Sequence, residues 1–557
     1  MRQRHAKDRG GKVTLITRPR RFGKTLGLSM LRTFFELEYD RNGEVIDKRH
    51  YFDGMKIMGA GEEVLSKMGQ YPVIHLSLKG TKQRDFYTAF MILRREIEGE
   101  FARHDYLRHS NLISEEEKQL FTGFLRGEID WQQRGFHSEH ERESAFREEV
   151  SKYTTALKTL SSMLQKHHDR NVIVLIDEYD VPLENAWAEG FYLEMTSLIR
   201  SIFESALKTN DALELAVITG CLRISRESIF TGMNNLKIVS IRSGSFAEGF
   251  GFTSAETMQM LTDYRLSDKE EEVRHWYDGY LFGNEEIYNP WSVINYVHDH
   301  LAMRDAFPEP YWSNTSSNSI VRDLVLRADE ETRQELDVLI AGGTIEKQIH
   351  EDITYADVHE TRDNLWNFLF FTGYMKKVSE RQEGGDIYAT QRIPNQEVES
   401  IYRNQIRGWF NRIVENADRA DLYRAILDRD PDAMGKILTS LLKRSISTFD
   451  SEESFYHGYL LSMLTGLTDY TVRSNREAGD GRPDITLYPE NPSDPAYLFE
   501  IKVRRKFNEM QGGLEEALDQ IRDKRYEEGI LEEGYAGAVS FGICFCKKSC
   551  IAGVYRS

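Results

Sequence analysis

Four cysteines in 557 residues are too few and too clustered to staple a secreted fold, so a disulfide framework is excluded and a reducing compartment fits. No run of about 18 or more apolar residues occurs, which removes a membrane-spanning helix. The opening residues MRQRHAKDRGGK carry no apolar leader stretch. A cytoplasmic protein without a membrane partner is therefore expected. Positive charge is short as well: the formal net charge of −18 repels phosphate at long range and argues against a tight, constitutive, non-specific nucleic-acid binder. Internal repeats, long low-complexity tracts and glycine/serine linkers are missing, so a solenoid or a string of freely tethered modules is excluded. What remains is a chain longer than one core normally organises. Its 40% hydrophobic content and 11% aromatics can fill two or three domains.

The densest chemistry lies near the far end, in GRPDITLYPENPSDPAYLFEIKVRRK. Asp484 opens one apolar strand, and Glu500 and Lys502 close the next. Side chains two apart on a strand share a face, so Glu500 and Lys502 project together while Phe499 and Ile501 turn into a core. Two acids and an amine then meet at one spot. Hard oxygen ligands suit magnesium or manganese, and a nearby lysine can position or deprotonate a water that attacks a phosphodiester. The alternative is a polar surface hairpin, for "PD…ExK" is short enough to arise by chance. Context favours chemistry: a helical period in SEESFYHGYLLSMLTGL, strands YTVRS, DITLY and AYLFEIKV, a helix in GGLEEALDQIRDKRY and a strand in AGAVSFGICF. This order, helix, three strands, helix, strand, resembles the PD-(D/E)XK nuclease superfamily. Glu453 is then the third acid of the metal set, or else a helix N-terminal acid meeting the dipole. Gln520 faces the site, or is a solvated side chain. Cys544, Cys546 and Cys550 tempt a zinc reading, but strand alternation accounts for the first two and no fourth ligand is apparent.

At the other end, the apolar strand VTLIT runs into RPRRFGKTLGLSMLRTFF, the pattern strand, phosphate-binding loop, helix. Amides of such a loop wrap phosphates, Lys24 reaches the outer ones, and the Thr25 hydroxyl ligates magnesium. Arg20, Arg21, Phe22 and Gly23 complete the loop. Arg18 stands where the first glycine of G-x-x-x-x-G-K-[ST] belongs, which is acceptable only with a negative φ. In NVIVLIDEYDVPL, an apolar strand ends in Asp177 and Glu178, at the end of a parallel sheet where ligands bind. Asp177 is expected to hold magnesium through water, and Glu178 to orient the attacking water. Five apolar runs, VTLIT, VIHLSL, VIVLI, LELAVIT and LKIVSI, supply a RecA-like or AAA-type sheet. Thr219 and Arg223, just past the fourth run, are candidates for a γ-phosphate sensor and a charge-stabilising arginine, or for an ordinary turn with a surface arginine.

Taken together, RPRRFGKT, VLIDEYDVPL, ITGCLRIS, SIFTGMNNL, WYDGY, YNPWS, FYHG, GRPDI and EIK look like the bacterial and archaeal family of predicted AAA-ATPase-like proteins with a C-terminal PD-(D/E)XK nuclease domain. The resemblance implies a cytoplasmic ATPase joined to a nuclease-like domain, with ATP, magnesium or manganese, and nucleic acid, foremost DNA, as ligands. Members of that family carry an extra segment before the first strand that contacts the nucleotide. Only a dozen residues precede it here, so the start is expected to be truncated or misassigned. An arginine from a neighbouring subunit would complete such an ATP site, which leaves a homo-oligomer open.

The expected architecture is α/β throughout: a P-loop NTPase (AAA/RecA-like) parallel sheet in residues 1–250, a helical and winged-helix-like middle region in 251–395, and a PD-(D/E)XK nuclease-like domain in 396–557. In the middle, SAETMQMLTDYRL and NSIVRDLVLRADEETRQELDVLIAGG read as amphipathic helices, and NLWNFLFFTGYM followed by a hairpin reads as the wing unit. Trp276, Tyr277, Tyr280, Tyr288 and Trp291 are expected to pack between helices, with stacking on bases as the alternative. Without a flexible linker, coupling of the two catalytic parts is favoured over independent activity.

Overall fold

The computed structural model describes residues 12–125, 135–223, 229–230, 236–312, 321, 329–351, 354–355, 357–359, 361–405, 419–443, 453–474 and 481–555. Residues 1–11, stretches 224–228 and 231–235 of the motif after Arg223, residues 318–320 and 322–328 of the helix expected from residue 318, and residues 475–480 of the turn before Asp484 lie outside the described residues; the later part of that expected helix is present as Glu330–Ile340. The chain divides into two compact units, Met1–Ser317 with Glu346–Val398, and Asn318–Ile345 with Glu399–Ser557. No helix among the described residues is long and apolar enough to cross a membrane.

The first unit is built on the five apolar runs. Strands β1 (Val13–Thr17), β2 (Val73–Ser77), β3 (Val172–Asp177), β4 (Leu213–Gly220) and β5 (Leu236–Val239) pair in parallel in the order β2-β3-β4-β1-β5. Every residue of β3 is buried, the mark of a strand covered on both faces. Because β4 lies between β1 and β3, the carboxyl ends at Thr17, Gly220 and Asp177 open onto one edge. Helix α1 (Lys24–Phe35) leaves that edge, and α2 (Val181–Glu189) follows β3. Gly23 precedes α1 at φ 77°, a left-handed conformation that a side chain resists. Leu28 of α1 packs on Val73, Ile173 and Leu175, which fixes the helix against the sheet.

The residues after β5 add short antiparallel pieces to the same unit. β6 (Phe252–Thr253), β7 (Tyr280–Phe282) and β8 (Glu285–Tyr288) form a three-stranded sheet. Helix α3 (Pro290–Ala302) begins inside YNPWS: Asn289 accepts the Trp291 N–H at 3.0 Å, and Pro290 takes a position that needs no amide donor. Tyr277 and Tyr288 are fully buried in one cluster with Val293 and Tyr296, and Trp276 packs on it. Tyr280 is buried too. Packing between elements therefore claims these four aromatics, and Trp291 alone stays substantially exposed, at 39%. Helix α4 (Arg362–Thr372) leads into the hairpin of β10 (Lys376–Glu383) and β11 (Asp386–Arg392), which β9 (Ile345–Gln348) extends.

In the second unit, α5 (Glu453–Leu464), β12 (Tyr470–Ser474), β13 (Ile485–Pro489), β14 (Ala496–Val503), α6 (Met510–Asp523), β15 (Ala538–Cys546) and β16 (Ser549–Val554) follow in turn. The sheet order is β12-β13-β14-β15-β16, with β14 and β15 parallel and the other pairs antiparallel. The expected element order is present. A short helix, Tyr526–Glu532, and the final strand β16 are additions. Phe499 stacks on Phe541 at 5.4 Å on one face, and on the other Leu498 packs with Ile521, Tyr526 and Ile530. Cys544 and Cys546 share a face of β15 and pack on Met510 and Leu514; no disulfide links any of the four cysteines.

Glu397 is a buried carboxyl in the first unit. Ser292 Oγ lies 2.9 Å from both of its oxygens, and the Trp312 N–H donates to it at 2.8 Å. Burial pushes its pKa up to about 7, against the pull of these hydrogen bonds. A carboxyl whose pKa folding raises contributes fully below the ordinary carboxylate range and loses that contribution as pH climbs towards 7. Thermal denaturation of Glu397→Gln is expected to match wild type near pH 4 and to lie above it at pH 8. An equal offset at both pH values would contradict this assignment.

Candidate functional sites

The loop after β1 turns its bulky residues away from the open edge. Arg18, in the place of the first loop glycine, donates its amide to Gly220 O at 3.1 Å. Its guanidinium is fully buried, donates to the carbonyls of Thr17 at 2.9 Å and Val239 at 3.2 Å, and sits 4.7 Å over the Phe282 ring. Burial lowers its pKa to about 10. Phe22 is buried against Tyr280 at 4.9 Å and Phe282 at 5.1 Å. Arg20 pairs with Glu184 of α2 at 2.5 Å, and Arg21, at φ 70°, lies 4.6 Å over Trp291. Three loop arginines are thus engaged by protein groups. Lys24 alone turns inward to the loop: its Nζ donates to the carbonyls of Arg18 and Pro19, at 2.9 Å each, and lies 3.6 Å from Cys221 Sγ.

Three strand ends meet beside it. Thr25 Oγ1 donates to Asp177 Oδ2 at 2.6 Å, and Thr219 Oγ1 donates to Asp177 Oδ1 at 2.5 Å. The Glu178 N–H donates to Thr219 Oγ1 at 3.3 Å, and Glu178 adopts φ 52°, a costly conformation for a residue with a side chain. Thr25 and Asp177 form a hard-oxygen donor pair of the kind that takes magnesium with several waters. Arg223 is elsewhere engaged: it pairs with Glu351 at 3.8 Å, which also takes Arg242 at 2.9 Å. Thr219 therefore joins the Lys24–Asp177 site directly, whereas the Arg223 guanidinium does not.

Two residues escaped the sequence reading, Asp180 here and His457 in the second unit. Asp180 is buried, and its Oδ2 accepts the N–H of Cys221 at 2.7 Å and of Leu222 at 3.1 Å. Tyr179 beside it donates its hydroxyl to Leu222 O at 2.7 Å. Burial raises the Asp180 pKa to about 6, against the nearby Lys24 charge. In DEYD the fourth residue reads as one more acid at a helix start, and nothing local announces a partner forty residues away.

In the second unit, register brings the other set together. Ile485 pairs with Phe499, so Asp484 lies beside Glu500, and its Oδ2 accepts the Ile501 N–H at 2.8 Å. Lys502 Nζ donates to Glu500 Oε1 at 3.1 Å and to Gln520 Oε1 at 2.8 Å. Gln520 Nε2 in turn donates to the Tyr526 hydroxyl at 3.2 Å, which donates to Arg482 O at 3.3 Å. Glu500 is 2% exposed and its Oε2 has no partner. Burial first, then the Asp484 charge, push its pKa up to about 7, while Lys502 opposes them. Asp484 is raised as well, chiefly by burial. His457 Nε2 lies 3.0 Å from both Asp484 O and Ser474 Oγ; sequence reading had not singled it out.

Two crowded carboxylates and an unpartnered buried oxygen are a donor set short of positive charge, and hard oxygens suit magnesium or manganese. Glu453 is exposed at the first residue of α5, and its charge adds to the upward shifts of Asp484 and Glu500. Among the described residues no three His, Cys, Asp or Glu side chains are gathered closely enough to hold an ion. Asp484, Glu500, Lys502 and Gln520 are brought together, and Glu453 stands in their field without joining them.

Comparison with known proteins matches the two units separately. Residues 6–230 match the family model described as predicted AAA-ATPase, and residues 451–554 match that of the PD-(D/E)XK nuclease superfamily. The chain is also 24% identical over 374 residues to a protein of Azotobacter chroococcum mcd 1 described as "Uncharacterized protein in vnfD 5'region", covering 65% of this chain and 67% of the relative. No solved structure matches.

The tight exit of β4 yields a direct test. A Cβ on Gly220 would lie 2.6 Å from the Tyr179 ring and 2.9 Å from Asp180 Oδ1. Gly220→Ala is expected to destabilise the protein by roughly 1–3 kcal/mol, as overpacking of a buried site does. Denaturant unfolding measures it, and an unchanged midpoint would mean that the turn yields freely.

Proposed function

We propose that this chain, which joins an AAA-ATPase-like segment to a PD-(D/E)XK nuclease-superfamily segment, binds and hydrolyses ATP in its first unit. In its second unit it cleaves phosphodiesters, foremost those of DNA, under control of the nucleotide. A cytoplasmic setting belongs to this reading. The observation that carries it is the buried, partnerless oxygen of Glu500 beside Asp484 and Lys502. Such a group costs stability unless a cation completes it, and proteins retain such strain at functional sites.

In the second unit Asp484 and Glu500 would hold magnesium or manganese, with Glu453 as a further carboxylate from α5. The bound ion supplies charge neutralisation and Lewis acidity at the phosphodiester. Lys502, held between Glu500 and Gln520, orients the attacking water or takes its proton. In the first unit Lys24 exchanges its two loop carbonyls for the outer phosphates. Thr25 and Asp177 would hold the magnesium that screens them. Glu178 orients the attacking water, Thr219 reports on the γ-phosphate through Asp177, and Arg20 to Gly23 shape the loop. Arg223 must leave Glu351 to neutralise transferred charge.

A second reading has one observation in its favour. Glu453 is exposed, and no three-ligand cluster is gathered among the described residues. A nucleotide-controlled scaffold whose second unit binds nucleic acid or protein without cutting is compatible with that.

Two measurements separate these readings. DNA incubated with protein, ATP and magnesium or manganese is expected to be cut by wild type and spared by Asp484→Ala and Lys502→Ala; equal cutting by all three would remove the nuclease assignment. Phosphate release is expected to fall on the order of 100-fold or more in Lys24→Ala and Glu178→Gln. Binding of ATP by wild type without phosphate release would replace hydrolysis by sensing.

A further inference from the structure

The exit of β4 is a junction. Arg18 donates its amide to Gly220 O, Lys24 Nζ lies 3.6 Å from Cys221 Sγ, and Tyr179 and Asp180 grip Cys221 and Leu222 from the β3 side. The next residue is Arg223. Asp180 occupies the N-cap position of α2, yet its side chain caps no amide of that helix. An acid at an N-cap ordinarily accepts an N–H of the following turn. Here the acceptor is spent on two amides of another strand's exit. Its second oxygen, Oδ1, is buried and unpartnered, so the fold bears the cost of a buried carboxyl here.

We infer that Asp180 is a positioning residue for ATP turnover: by accepting the Cys221 and Leu222 amides it fixes the turn that aligns Thr219 with Lys24. This rests on the ATP reading of the first unit. Asp180 touches no phosphate. It works by tying the end of β4 to the end of β3, so that a strand between the loop and the acids cannot drift relative to either. The charged and titratable neighbours are Lys24, Arg20, Glu184, Cys221 and Tyr355, and of these only Lys24 and Arg20 are cations.

The test compares Asp180→Ala with Asp180→Asn in the full chain. The amide oxygen of Asn can accept the same two N–H groups, whereas Ala accepts none. Asp180→Ala is expected to lower kcat for phosphate release on the order of 100-fold, the cost of slight misplacement of catalytic groups, with affinity for a fluorescent ATP analogue little changed. Asp180→Asn is expected to restore most of that loss. A wild-type kcat in Asp180→Ala, or an Asn variant as slow as Ala at equal folded fraction by circular dichroism, would overturn the inference.

A second readout needs no turnover. Cys221 is half-buried while Cys544, Cys546 and Cys550 are buried, so a thiol reagent reports on this turn in the folded protein. Labelling of Cys221 is expected to quicken in Asp180→Ala and to stay slow in Asp180→Asn. Equal rates in wild type and Asp180→Ala would also overturn the inference. Absence of phosphate release by wild type would instead sink the hydrolysis reading, leaving the labelling result to judge Asp180.

Discussion

The first unit depends on one packing constraint, the seating of Phe22 between Tyr280 and Phe282. Phe22 is fully buried although it lies in a loop between β1 and α1. Anchoring that residue outside the sheet edge pulls the intervening backbone into shape. The anchoring also explains how the loop tolerates Arg21 at φ 70°, a cost of about 1–2 kcal/mol that surrounding contacts must offset. WYDGY and YNPWS, whose aromatics are expected to pack between helices, serve this seating: Tyr280 is the wall, and Trp291 lies under the Arg21 guanidinium.

Both candidate sites concentrate cations, yet most of those cations are already committed. Arg18 is inside the protein, Arg20 is paired with Glu184, Arg21 covers Trp291, and Arg504 pairs with Glu516. The basic character of RPRRFGK and KVRRK is therefore largely structural. Against a net charge of −18, the cations of KVRRK that stay exposed are Arg505 and Lys506.

The strands and both motifs were legible because they are local. Five apolar runs read directly as the parallel sheet, and period-two alternation set Glu500 and Lys502 on one face. Asp484, Glu500, Lys502 and Gln520 could be grouped because helix and strand order implied their meeting. What stayed hidden is contact between distant segments. Phe22 finds Tyr280 across more than 250 residues, Arg223 finds Glu351 across more than 120, and Asp180 finds the exit of β4 across about 40. No periodicity encodes such pairings. The burial of Arg18 was hidden for another reason: an arginine in a glycine position reads as an exposed cation, and its interior place is made by the Phe282 ring and the carbonyls of Thr17 and Val239.

The parallel pairing of β14 with β15 has a consequence for how this protein can change over generations. Parallel neighbours require a crossover, and α6 is that crossover, so Gln520 reaches Lys502 by rotation about a helix axis. One residue added or lost within α6 ahead of Gln520 would swing that amide by about 100° and release the amine, even though every strand stayed in register. Length drift should therefore be confined to the segment between Val503 and Met510, where an insertion leaves the phase of the helix untouched.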